Sequence, residues 1–199
     1  WPSGSAGGRT IARNPEEFVK KGLSYEIHRL KGPCAFPIDR ENALKVFAVR
    51  MTGDETFDRS SQVDLTSEGA GSWEVPPGDW SLLRFEVVKD EREFPVTHID
   101  YLDSNAVAAF IEITNEEYHR RFGQYFGNTI PGVFFDEIYF NNAIFWDEGP
   151  GDVLAWTDDF ADSFHREKGY ELLDELPSLI LRSEGSESVN YDYFEELTR

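Results

Sequence analysis

Sulfur, positive charge and long apolar runs are all scarce in this chain. One cysteine, Cys34, and one methionine occur among 199 residues. A lone thiol can neither staple the chain nor build a cysteine-rich zinc site, and nothing around Cys34 marks an activated nucleophile. No run reaches the roughly 18 apolar residues that a membrane-spanning helix needs. Lysine and arginine number 19 against 38 acids, a formal net charge of −19. Such a surface repels phosphate backbones and anionic lipid. Nucleic acid and membrane are therefore poor partners, while a neutral substrate or a cation such as Ca2+ is easier to accept. Plain solubility accounts for the same charge. There is no GxSxG elbow, no GxGxxG, no P-loop, no glycosylation sequon and no internal repeat. The opening Trp1-Pro2-Ser3-Gly4 lacks an initiator methionine and a signal-peptide profile. It reads as the interior of a longer gene.

Aromatic residues are abundant, with 16 Phe, 8 Tyr and 5 Trp. Rings fill cores with large, stiff area. They also form the usual platforms under the apolar faces of sugars, so carbohydrate fits as a partner.

Residues 1–10, rich in Gly and Ser, are expected to form a loop, and Asn14-Pro15 to open a short helix. Alternation over Leu23–His28 predicts a strand broken by Lys31-Gly32-Pro33. Further strands are expected over 43–51, 62–66, 72–75 and 80–88, with Pro76-Pro77-Gly78-Asp79 as a turn. Together 23–92 read as a small antiparallel β subdomain. A strand follows over 94–99. Asp103 should cap a long helix over 104–126 with Val107, Phe110, Ile111, Tyr118, Phe122 and Tyr125 on its inner stripe. Val133-Phe134-Phe135-Asp136-Glu137-Ile138 then reads as a buried strand ending in acid. A strand, a long helix and an apolar strand give the rhythm of a parallel sheet. Beyond a loop at 139–152, helices are expected over 153–168, ended by Gly169, over 171–176, stopped at Pro177, and over 191–197.

Glu137 is the strongest catalytic candidate. A carboxylate directly after a buried strand, beside Phe134 and Phe135, is partly desolvated, which raises its pKa. A glycosidase general acid needs that property near neutral pH. The competing reading is a helix cap or loop acid. Strand alternation sends Asp136 the other way, so the adjacent pair cannot supply two carboxyls flanking one bond at roughly 5–9.5 Å. The second carboxylate is expected from another strand end, within the chain at Asp100 or, more naturally, beyond Arg199. His98 and Asp100 can bind sugar hydroxyls or a cation, or form a structural pair. Trp146 is a candidate sugar platform. The loop Asp147–Asp152 offers oxygen ligands to Ca2+ without EF-hand spacing, so the metal ligands are left unassigned. His119 and His165 read as structural or solvent-facing.

Several pieces, in order along almost the whole chain, resemble glycoside hydrolase family 106, the alpha-L-rhamnosidases. They are Trp1-Pro2-Ser3-Gly4, Trp73–Trp80, Asp100-Tyr101-Leu102-Asp103, Tyr125–Glu137, Phe164–Tyr170 and Leu176-Pro177-Ser178-Leu179. Ser5-Ala6-Gly7 stands where the family tends to have Gly-Gly-Pro, and Ile138 where many members have Pro. The resemblance implies hydrolysis by two carboxylates, with Glu137 as general acid and Asp136 as a substrate-contacting neighbour. It also implies inversion and calcium use. The implied fold is a fragment of a (β/α)8 TIM barrel carrying an inserted small antiparallel β subdomain, because 199 residues fall short of the roughly 250 of a full barrel. The organisation expected is a barrel loop and short helix over 1–22, the β insertion over 23–92 and a partial barrel over 93–199. The missing remainder of the barrel is then itself a partner, and the isolated chain is expected to be weakly active or inactive. A non-catalytic carbohydrate-binding module and a ligand-free structural domain are the alternatives.

Overall fold

A computed structural model describes residues 3–67, 71–90, 98–133 and 153–198. The chain is mixed α/β. Its elements are α1 (Ser3–Ile11), β1 (Lys21–Pro37), β2 (Lys45–Met51), β3 (Phe57–Asp64), β4 (Ser72–Lys89), α2 (Ser104–Ile111), α3 (Glu117–Phe122), β5 (Val153–Trp156), α4 (Phe160–Lys168), α5 (Leu176–Ile180) and α6 (Ser186–Leu197). Five strands form one sheet in the order β3-β2-β4-β1-β5. The chain divides into two compact units. One holds the described residues of 1–22, 88–150 and 154–158, and the other those of 23–87, 151–153 and 159–199. Among the described residues no helix is long and apolar enough to cross a membrane.

In the second unit, β2 pairs antiparallel with both neighbours. Its register with β4 runs from Lys45 opposite Phe85 to Arg50 opposite Trp80. Against β3 the register shifts between Ala48 and Arg50, the extra residues lying on β3 between Asp58 and Val63. The Arg50 amide there donates to the Ser61 hydroxyl at 2.8 Å, so the interruption leaves no orphaned donor. β2 is buried on both faces. Val46 and Ala48 join Ile38, Leu65, Val75, Trp80 and Leu82 in one cluster. Phe47, on the other face, meets Phe85 edge-on at 6.5 Å.

β1 and β4 are much longer than sequence signals suggest. Lys31-Gly32-Pro33 does not break β1, and Pro76-Pro77-Gly78-Asp79 does not turn the chain. The two irregular stretches lie against each other. A Cβ on Gly32 would fall 1.9 Å from the Pro76 carbonyl oxygen. Glycine in a strand marks such a close backbone approach, and here it keeps both strands continuous. Gly78 takes the rest of the irregularity at φ 117°.

The first unit departs from expectation at its start. Residues 3–11 are helical, not a loop. The helix packs inward, since Gly7 and Thr10 are buried and a Cβ on Gly7 would lie 3.6 Å from the Ile99 side chain. Asn14-Pro15 forms only a turn, with the Phe18 amide on the Asn14 carbonyl at 2.9 Å. The Asp103 cap is present, its carboxylate accepting from the Asn105 and Ala106 amides at 2.8 and 3.3 Å. α2 and α3 are joined by a π-helical turn over Glu112–Glu116. Such a turn inserts one residue and rotates the helix beyond it by about 100°. The expected stripe is lost on both sides of this turn, Ile111 before it being 42% exposed. Ala106 and Ala109 are the buried positions of α2, while Tyr118, Phe122 and Tyr125 are 41–43% exposed.

Two later expectations also fail locally. Val153–Trp156 is strand β5, and the helix begins only at Phe160, ending at Gly169 with φ 78°. A four-residue apolar run is compatible with either period. Pro177 starts α5 rather than stopping a helix, because proline suits a first helical turn whose amides are unpaired anyway. The strand expected at 94–99 is represented by Ile99, bridged antiparallel to Val19. Residues 94–97 and the strand expected at 134–138 lie outside the described residues.

Gly32→Ala should destabilise the protein by more than about 2 kcal/mol, because a main-chain oxygen occupies the space of the added methyl. Urea melts of the two proteins test this. Equal midpoints would mean that the strands separate without cost.

Candidate functional site

The described candidate residues meet at the start of β1. Here the segment 18–20 runs between 88–90 and 98–100. The Asp90 amide donates to the Lys20 carbonyl at 2.9 Å, the Lys20 amide to His98 at 3.0 Å and the Asp100 amide to Phe18 at 2.8 Å. This ladder turns the alternation of β1 into a placement, with Lys21 directed into the interior beside Asp100.

Lys21 and Asp100 are each 1% exposed. The Lys21 ammonium donates to the Glu17 carbonyl at 2.6 Å and lies 3.4 Å from Asp100 Oδ2. Asp158, whose side chain is largely exposed, stands 3.2 Å from the same nitrogen. Asp100 Oδ2 also accepts from the Thr157 hydroxyl at 2.8 Å, and Oδ1 from the Leu102 amide at 3.0 Å. Both carboxylate oxygens are therefore engaged by protein groups. Burial pushes the Asp100 carboxyl above the usual carboxylate range, although Thr157, Lys21 and Leu102 all pull it down. Desolvation outweighs the attraction of the ammonium, as happens for ion pairs taken out of water.

His98 is held differently. Its amide donates to Asp90 Oδ2 at 3.3 Å. Its Nδ1 is buried without a hydrogen-bond partner, 3.9 Å from the same carboxylate and beyond bonding distance. The side chain is 32% exposed, so the accessible part of the ring lies away from Nδ1.

The sequence candidates thus separate. His98 and Asp100 are brought into one neighbourhood, with Asp100 sealed and His98 partly open. Glu137, Asp136 and Trp146 lie outside the described residues, as does the acidic loop 147–152. Lys21, Asp90, Thr157 and Asp158 were not found by sequence reasoning. The sequence held no signal that singles out Lys21, since Lys20 beside it is buried as well. Thr157 and Asp158 were hidden because β5 was read as helix. His119 and His165 carry exposed side chains as expected. Among the described residues no group of three or more His, Cys, Asp or Glu is arranged to hold a metal. The calcium implied by the resemblance therefore finds no ligand set there.

The family model for alpha-L-rhamnosidase, glycoside hydrolase family 106, matches residues 6–198. The chain belongs to this family. Among solved structures, the rhamnosidase from Novosphingobium sp. PP1Y is similar at 24% identity and a TM-score of 0.42, over 71% of this chain. The chain spans 14% of the length of that rhamnosidase. No curated protein matches it.

The Lys21–Asp100 pair makes a prediction about pH. In Lys21→Met the attraction that lowers the Asp100 carboxyl is gone, so its folded pKa rises further above the unfolded value of about 3.9. A carboxyl raised on folding contributes stability that is fully present below its unfolded value and is lost as pH rises through its folded value. The variant should therefore be close to wild type near pH 3.5 and about 3 kcal/mol less stable at pH 7. Adding Asp100→Asn should recover much of the loss. Urea melts at the two pH values decide, and a deficit independent of pH would exclude a charged pair.

Proposed function

We propose that this chain is part of an enzyme that hydrolyses alpha-L-rhamnosides or related glycans, with Glu137 as general acid. The observation that carries the reading is the family match over 6–198, which includes the Asp136-Glu137 pair. In this reading the protonated Glu137 carboxyl gives its proton to the glycosidic oxygen as the bond to the anomeric carbon breaks. Water attacks that carbon, and a second carboxylate accepts the proton that water loses. The second carboxylate comes from outside the described residues, since Asp100 is sealed by Lys21, Thr157 and Leu102.

Asp100 then acts through the main chain. It fixes the turn after His98, and the partly open imidazole of His98 is available to a sugar hydroxyl. Asp136 and Trp146 are proposed to contact substrate. Residues 1–22 and 93–199 would belong to a (β/α)8 barrel completed by further chain, and 23–92 would be an insertion in it. The sheet over β1–β4 supports the insertion. No step is routed through calcium.

In the intact enzyme, Glu137→Gln should lower kcat on an aryl alpha-L-rhamnoside by about 10²–10⁴-fold while substrate binding is kept. An activated phenolate leaving group should suffer least, because it needs the proton least. Turnover near the wild-type rate on all substrates would remove Glu137 from the mechanism.

A further inference from the structure

The second unit carries a pair of hydrogen-bond donors that the proposed hydrolysis does not use. Trp80 is 8% exposed, and its indole nitrogen is buried without an acceptor. A buried donor left unpaired costs free energy comparable to a lost hydrogen bond. Directly opposite in register, on β2, is Arg50. Arg50 is exposed, and among the described residues its guanidinium has no ion-pair or hydrogen-bond partner. Its natural counter-ion would be Asp58, its register partner on β3. The Asp58 carboxylate is turned to the amide and hydroxyl of Ser60 instead, at 3.0 and 2.6 Å. The register shift between β2 and β3 falls just before this pair, with the extra residues on β3 between Asp58 and Val63.

Both donors converge over Gly78. A carbon placed where a Cβ would stand on that residue is 3.8 Å from Arg50 Nε and 4.0 Å from Trp80 Nε1, and no other residue beyond its chain neighbours comes closer. At φ 117° the position disfavours any side chain. One neutral and one cationic N–H donor thus lie within ordinary contact of a single point over the glycine, the neutral one covered from solvent. A guanidinium matches a carboxylate in geometry and charge better than it matches a hydroxyl.

We propose that Arg50 and Trp80 form a subsite over Gly78 for a carboxylate-bearing ligand, a role that the proposed hydrolysis does not give them. The ligand oxygen displaces the flexible arginine arm to reach the indole N–H, and the guanidinium then closes on the carboxylate. Trp73, half-buried and edge-on to Trp80 at 5.3 Å, adds an aromatic surface beside it. A sugar acid is the ligand class that uses both the donors and the ring.

Indole N–H resonances of the full chain, followed by NMR during titration with glucuronate, acetate and glucose, test the proposal. One of the five tryptophan signals, absent from Trp80→Phe, should move with glucuronate. Arg50→Gln should weaken that response at least about tenfold. Acetate matching glucuronate would assign the subsite to simple carboxylates, and tighter glucuronate binding would assign it to sugar acids. The proposal is overturned if no indole signal moves over the millimolar range, if glucose moves it equally, or if Arg50→Gln leaves the affinity unchanged. Should Trp80→Phe fail to fold, the affinity of Arg50→Gln, altered at an exposed side chain, still decides.

Discussion

A buried ammonium must be surrounded by acceptors or it will not stay buried, and the first unit is organised around that demand. Lys21 meets it with a main-chain carbonyl, the carboxylate of Asp100 and the rim carboxylate of Asp158. Asp100 in turn takes the Leu102 amide and the Thr157 hydroxyl. Segments near residues 20, 100 and 157 are thereby tied at one point. The pair contributes little net attraction, because burial opposes it. It supplies position instead, since any other arrangement of these segments strands a charge. The ladder that holds His98 in place runs through the same backbone, so the exposed imidazole inherits its rigidity.

The second unit obeys a different constraint. The inner strand β2 is buried on both faces, so apolar side chains fill both its sides and polar groups are pushed to its ends. Lys45 leaves the sheet at one end to meet Asp64 and Asp174. Arg50 leaves at the other and meets no partner among the described residues. With twice as many acids as bases in the chain, counter-ions are plentiful, and an unpaired arginine beside an unpaired indole reflects local geometry rather than a shortage of charge. The register that sets Arg50 opposite Trp80 fixes that geometry.

Local chemistry was legible in the sequence. The Asp103 cap and the Gly169 stop needed only neighbours within a turn or so to act, and both are found. Signals that depend on the strand across the sheet misled. Lys31-Gly32-Pro33 and Pro76–Asp79 each read as a break, because the residue types permit a turn. Only the approach of one stretch to the other shows why they stay in strands. The inner stripe of the 104–126 helix failed for a subtler reason. Its large apolar residues are spaced as a helix face, yet the small Ala106 and Ala109 take the buried positions of α2, and the π turn at 112–116 shifts the phase beyond them. At the site, His98 and Asp100 were legible as a pair through their parity, while the partner that seals Asp100 lies 79 residues away.

The sequence determined the family by itself, through motifs in order along the chain, together with the caps and the apolar stretches that build a two-faced sheet. These depend on residue type and short spacing. The tertiary structure alone decided which carboxylates are sealed and which donors are left waiting. Burial and pairing depend on segments distant in the chain, and the free energy of a charge is fixed by everything that surrounds it.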